Sequence, residues 1–139
     1  MNIAFFLLPK KDVVFLSNNS TMRQALEKME YHRHTAIPLI DEKGRYAGTI
    51  TEGDLLWKLK NMPNLNLSCT EKILLRDIPQ QMQNQPVKID AQIQDLLSLA
   101  VGQNFVPVVD DDGIFIGLVR RSEIIEYCIK LLKENNLIS

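Results

Sequence analysis

Ile37-Pro38-Leu39-Ile40-Asp41-Glu42-Lys43-Gly44-Arg45-Tyr46-Ala47-Gly48 decides the fold, because the chain repeats it as Val106-Pro107-Val108-Val109-Asp110-Asp111-Asp112-Gly113-Ile114-Phe115-Ile116-Gly117. The matched prolines, aspartates and glycines all stand 69 residues apart, half of a 139-residue chain. The protein is therefore a tandem of two similar units. A unit that small buries too little apolar surface to stand alone, so the two are expected to share a core. The seam between them is then the first place to look for a ligand.

Outward from the quoted stretch, each copy reads the same way. Ala36 to Ile40 is an apolar strand, Asp41–Gly44 a polar turn in which Gly44 can take positive φ, and Arg45 to Thr51 the return strand. Glu52 to Lys60 follows as a helix. Upstream, Met22, Ala25, Leu26 and Met29 have helical spacing, with Ser20 or Thr21 as the N-cap. Val13 to Leu16 precedes them as a short strand. In the second copy, Val87 to Ile89 is the strand and Asp90 the N-cap. Ile93, Leu96, Leu97 and Ala100 mark the helix, Phe105–Val109 and Ile114–Val119 the hairpin, and Arg121 to Leu132 the last helix. Each unit is β-α-β-β-α. The expected organisation is an N-terminal arm (1–12), unit 1 (13–60), a connector (61–85) and unit 2 (86–139). The connector is rich in Asn and Gln and holds one apolar piece, Ile73-Leu74-Leu75.

The composition is that of a soluble globular protein, 45% hydrophobic and 24% charged. A net charge of -1 gives no pull toward nucleic acid or membrane. No apolar run approaches the roughly 18 residues of a membrane span. Ile3 to Leu8 is apolar but short, and Pro9-Lys10-Lys11 follows it, the reverse of a secretory signal. It is expected to be a packed strand or arm. Cys69 and Cys128 have no metal or redox spacing, and a cytoplasmic location with reduced thiols is expected. The last helix carries apolar residues on more than one face (Ile124, Ile125, Tyr127, Cys128, Ile129, Leu131, Leu132), which points to self-association.

Chemistry concentrates at Gly48-Thr49-Ile50-Thr51-Glu52-Gly53-Asp54, where a strand passes into a helix. Thr51 offers a hydroxyl, Asp54 a carboxylate, and the helix start its free N–H groups. Together these suit a ribose phosphate, and the glycines permit close approach. The same Thr-x-x-Asp spacing also describes a capping box, and the two roles can coexist. Capping alone predicts that Asp54→Ala costs around 0.5–2 kcal/mol. In the second copy Arg120 stands for Thr51 and Glu123 for Asp54. Arg120 and Arg121 at a helix N-terminus oppose its dipole by about 0.3–1 kcal/mol per charge. An anion would repair that, and so would pairing with Asp110–Asp112 or Glu123, or simple solvation. His32, Arg33 and His34 suit a helix C-terminus better than a metal site. Trp57 reads as packing. No nucleophile with a base, nucleophile elbow or P-loop emerges.

The doubled pattern of helix, hydrophobic-Pro strand, Asp-x-x-Gly turn and Gly-x-hydrophobic-Thr-x-x-Asp resembles the cystathionine-β-synthase (CBS) domain, present as a tandem pair (a Bateman module). It covers about 13–60 and 86–133, and the chain looks like the small stand-alone bacterial members. The resemblance implies an α/β (α+β) fold, with two units packed through their sheets about a pseudo-twofold axis. It implies flat dimers with the final helices at the interface. It also implies clefts between the units that take adenosine-containing ligands. In the family pattern Thr51 and Asp54 would contact phosphate and ribose. Thr35, Ala36, Ile37 and Pro38 would line the base, with Asn104, Phe105, Val106 and Pro107 as their second-unit counterparts. Arg120 and Glu123 depart from the pattern, so the second cleft is expected to be empty or to take a more anionic ligand. Some small CBS-pair proteins bind cyclic di-AMP, and Arg120 with Arg121 makes that the main alternative.

The resulting expectation is a non-enzymatic sensor without a required cofactor. It binds AMP, ADP or ATP as a regulatory ligand, forms a homodimer, and signals to an effector protein. Nucleic acid and membrane are not expected partners. A ligand-free dimerisation module, in which Thr51 and Asp54 only cap their helix, is the competing class.

Overall fold

The computed structural model describes residues 2–64 and 66–139. The arm 1–12 and the connector 61–85 include Met1 and Leu65, which lie outside the described residues. Among the described residues there are four α-helices and two sheets. The chain forms two compact units: residues 14–84, and residues 85–139 together with the N-terminal segment ending at Val13.

In the unit of residues 14–84 the sheet order is β2 (Leu16–Ser17), β3 (Ala36–Ile40), β4 (Tyr46–Thr51). Strand β3 runs parallel to β2 and antiparallel to β4, with Ala36 opposite Thr51 and Pro38 opposite Thr49. The helices are α1 (Met22–His32) and α2 (Glu52–Lys60). Thr21, rather than Ser20, caps α1 through a full capping box with Gln24. The helix ends at His32 because Arg33 turns left-handed (φ 58°) and hands its N–H to Met29 O. Met22, Ala25 and Met29, at the predicted spacing, join Ile37, Leu39, Ile50 and Leu55 in the core.

The expected strand at Val13–Leu16 is shorter and later. Val13 closes a 3₁₀ turn over Lys10–Asp12, so only Leu16–Ser17 pairs with β3. The connector is more structured than its composition suggests. Ile73 O accepts from Met22 N at 2.8 Å, Leu75 N donates to Ser20 O at 2.9 Å, and Leu75 and Ile78 are buried with this core. The apolar Ile73-Leu74-Leu75 piece is thus a clip across the loop before α1.

The other unit has sheet order β1 (Leu8–Pro9), β7 (Phe115–Arg120), β6 (Phe105–Val109), β5 (Val87–Lys88). Its helices are α3 (Ile93–Ala100) and α4 (Arg121–Glu134), the latter running two residues past the expected end. Ile3 to Leu8 is not one strand. Ile3–Phe6 is a 3₁₀ turn that buries Ile3, and only Leu8–Pro9 pairs, antiparallel to Leu118 and Gly117. The Leu8 carbonyl lies where a Cβ on Gly117 would sit, so that glycine admits a backbone. Asp90 is not the N-cap of α3. It belongs to a turn closed by Ala91 N to Lys88 O, and the cap is Gln92, whose N–H donates to Asp95 Oδ2 at 3.0 Å.

The two hairpin turns are copies in atomic detail. Asp41 Oδ1 accepts from Lys43 N and Arg45 N, both at 2.9 Å; Asp110 Oδ1 accepts from Asp112 N and Ile114 N, both at 2.9 Å. Gly44 and Gly113 close them at φ 82° and 81°. The repeated Asp-x-x-Gly is an Asx turn written twice.

Candidate functional site

The site begins where β4 becomes α2. Thr51 is extended (φ -115°, ψ 161°) and is the N-cap. Its hydroxyl accepts from Asp54 N at 3.2 Å, while Asp54 Oδ2 accepts from Thr51 N at 2.9 Å. The capping box foreseen from the spacing is therefore present. It accounts for only one carboxylate oxygen. Asp54 Oδ1 accepts from Gln81 N at 2.8 Å, and the residue is only 2% exposed. A carboxylate has about four acceptor sites, so two lone pairs remain after both bonds.

The β3 residues meet the same helix start. Glu52 N donates to Thr35 O at 3.0 Å, and Ala36 lies opposite Thr51 in the ladder. Thr35, Ala36, Thr51 and Asp54 thus stand together at one end of this sheet. Ile37 is fully buried and Pro38 is buried. Beside them, Tyr46 Oη lies 2.7 Å from Thr49 Oγ1 and donates to Asn84 O at 3.4 Å. Burial pushes the Tyr46 phenol up to about 12. Gly48 (φ +115°) faces the Gln80 carboxamide, which fills the space a Cβ would need.

The second copy builds the same backbone with different chemistry. Arg121 N donates to Asn104 O at 2.9 Å, as Glu52 does to Thr35, and Phe105 lies opposite Arg120. Val106 and Pro107 are buried like their counterparts. Arg120 has no capping oxygen, and its guanidinium pairs with Glu123 at 3.0 Å on the surface. Arg121 Nε donates to Gln103 O at 2.9 Å. The two arginines are thus answered within the chain: one by the carboxylate a turn along, the other by a carbonyl. Glu123 side chain is 39% exposed where Asp54 is buried.

Sequence reasoning missed Gln81 and Gln103. Gln103 is 6% exposed, and its side chain bonds Gln85 N, Gln85 O and Phe105 O. Neither carries a pattern signal: Gln81 sits in a polar connector, and the repeat places His34, an exposed residue, at the position of Gln103. Among the described residues no group of three or more His, Cys, Asp or Glu could hold a metal ion. Nor is any helix there long and apolar enough to cross a membrane.

The chain is a tandem of two β-α-β-β-α units, each with a Gly-bearing strand entering a helix beside a hydrophobic-Pro strand. The CBS domain family model matches this chain twice, over residues 7–61 and 75–130, and the chain belongs to that family. A CBS domain-containing protein of Dictyostelium discoideum is 27% identical over 139 residues, covering 96% of each chain. The structure of Listeria monocytogenes CbpB in complex with c-di-AMP has a TM-score of 0.80 at 19% identity, covering 94% of this chain and 97% of that one. The structure of CBSX2 in complex with AMP has a TM-score of 0.72 at 22% identity, covering 94% and 97%. At these identities the likeness is one of fold.

Proposed function

We propose that this protein is a non-enzymatic regulatory module that binds an adenosine-type ligand at the β4–α2 junction, with Thr51 and Asp54 as its principal side-chain contacts. Asp54 would accept the ribose hydroxyls and Thr51 would meet the phosphate. Thr35, Ala36, Ile37 and Pro38 would line the base. The observation that carries this reading is the Asp54 carboxylate itself. It is fixed by two backbone N–H groups, retains unspent lone pairs, and stands on a helix start whose copy in the other unit has lost both the hydroxyl and the burial. The family and the AMP- and c-di-AMP-bound fold neighbours favour the same ligand class. A ligand acts on such a module only through its differential affinity for two states, and an effector protein would read the difference.

A melting panel with AMP, ADP, ATP and cyclic di-AMP tests the reading. At about 100 times its dissociation constant a ligand stabilises by about 2.7 kcal/mol, a shift of several degrees. A panel in which none of the four shifts the melt contradicts it and leaves the ligand-free dimerisation module standing.

The second reading is cyclic di-AMP binding through Arg120, Arg121 and Glu123, with Asn104, Phe105, Val106 and Pro107 around the base. It is favoured by the half-exposed Arg120 guanidinium, whose one surface ion pair is weak enough for a phosphate to displace. Self-association is part of both readings. Ile125, Ile129, Leu131 and Leu132 on α4 are 38–49% exposed, and Leu56 and Trp57 on α2 are 56% and 47% exposed. Sedimentation equilibrium is expected to give a dimer mass, and a monomer mass at micromolar concentration would remove that part. A cytoplasmic location goes with this reading.

A further inference from the structure

The end of the connector lies on Asp54, a residue just assigned to the ligand, and on Gly48 and Tyr46 of the strand that leads to it. Gln81 N–H occupies Asp54 Oδ1 at 2.8 Å, the Gln80 carboxamide covers Gly48, and Asn84 O accepts a long bond from Tyr46 Oη. The first of these contacts meets a carboxylate that is only 2% exposed although it stands in the first turn of a helix. Yet the covering segment is itself poorly held. Gln81, Met82 and Gln83 are exposed, while the firm anchors stand outside the segment. Ile78 is 3% exposed in the core, and Gln85 bonds Gln103 through both its N–H and its carbonyl. A short stretch with few buried contacts between two fixed ends is where local opening costs least.

We propose that residues 79–84 form a strap that an adenosine-type ligand displaces: strap and ligand compete for Asp54 Oδ1 and for the bare surface of Gly48. The exchange at the carboxylate is one donor for another, a ribose O–H for the Gln81 N–H. Gly48 has no side chain, so whatever leaves it uncovers a flat surface. The closed strap lowers the apparent affinity by the fraction of molecules in which it is open. Ligand binding therefore frees a segment that runs directly into Gln85, and that release is the signal. The inference rests on the reading of Thr51 and Asp54 as the ligand site.

Hydrogen exchange and calorimetry on the full chain, with AMP and cyclic di-AMP as separate probes, test it. Saturating nucleotide is expected to speed amide exchange in 79–84 at least about tenfold, while the α1 amides slow or stay unchanged. Gln81→Pro removes the competing N–H and is expected to bind the same nucleotide about tenfold tighter. Binding with unchanged or slowed exchange in 79–84, or with no gain in Gln81→Pro, overturns the strap and leaves the site. No binding heat with either nucleotide overturns the site and the strap with it. Should Gln81→Pro fail to fold, the exchange comparison on the unaltered protein decides alone.

Discussion

Asp54→Ala is the perturbation whose size separates a helix cap from something larger. A cap alone is worth about 0.5–2 kcal/mol. Here the carboxylate also holds Gln81 N–H, so truncation strands two backbone donors, at Thr51 and Gln81. A hydrogen bond to a charged group contributes about 1.5–3 kcal/mol, and relief of burying the carboxylate offsets part of two such losses. The net expectation is about 2–4 kcal/mol. For a chain of this length that lowers Tm by about 6–15 °C. The second copy is the internal control. Glu123 pairs with Arg120 at the surface, with side chains 39% and 55% exposed. Glu123→Ala is therefore expected to cost no more than about 1 kcal/mol. Urea titrations followed by circular dichroism give both numbers on the same scale. A loss below about 1 kcal/mol for Asp54→Ala, or equal losses at the two positions, would refute the claim that Asp54 ties the connector to its helix.

Three further outcomes follow from the geometry. Gly48→Ala is expected to destabilise by about 1–3 kcal/mol, since φ +115° is unfavourable for an L side chain and the new methyl meets the Gln80 carboxamide; a melt equal to that of the parent would contradict this. Gly53→Ala is expected to stabilise by about 0.4–1 kcal/mol, because a Cβ there makes only ordinary contacts at 3.7 Å and 3.9 Å in a helix; nucleotide affinity lost despite that gain would show that a ligand approaches Gly53 closely. Tyr46 has its folded-state pKa raised, so its contribution is complete below pH 10 and is lost as pH climbs from 10 toward about 12. The parent's stability advantage over Tyr46→Phe should therefore shrink across that window, and a constant difference would show that the phenol is not buried.

An acid-side counterpart lies in the first hairpin turn. The Arg45 backbone N–H, with the Arg45 guanidinium and the Lys43 N–H adding to it, holds the Asp41 carboxyl below its usual range. A lowered folded-state pKa gives stability that is present above about pH 4 and lost as pH falls further. Asp41→Asn should remove that acid sensitivity, as read from melts between pH 2 and 5.

What could be read from the sequence was what repeats or has a period. The hairpins, their polar turns at Asp41–Gly44 and Asp110–Gly113, the helical faces of α1 and α3, and the Thr51–Asp54 cap all follow from local spacing. The parts that escaped depend on partners far along the chain. Asp90 looked like a cap because Asp caps well, yet the turn from Lys88 to Ala91 uses it first. Gln81 reaches Asp54 across 27 residues and Gln103 reaches Gln85 across 18, and neither bond has a sequence pattern. The two copies share a backbone and differ in chemistry. Where they agree, at Asp41/Asp110 and Gly44/Gly113, they describe scaffold. Where they differ, at Thr51/Arg120 and Asp54/Glu123, burial and bonding differ too.

Calorimetric titration of AMP and cyclic di-AMP into the parent, Asp54→Asn and Glu123→Gln tests the central claim most directly. The account predicts saturable binding to the parent, at least tenfold weaker binding to Asp54→Asn, and near-parent affinity in Glu123→Gln. Absence of binding to the parent, or an Asp54→Asn affinity equal to the parent's, would contradict it.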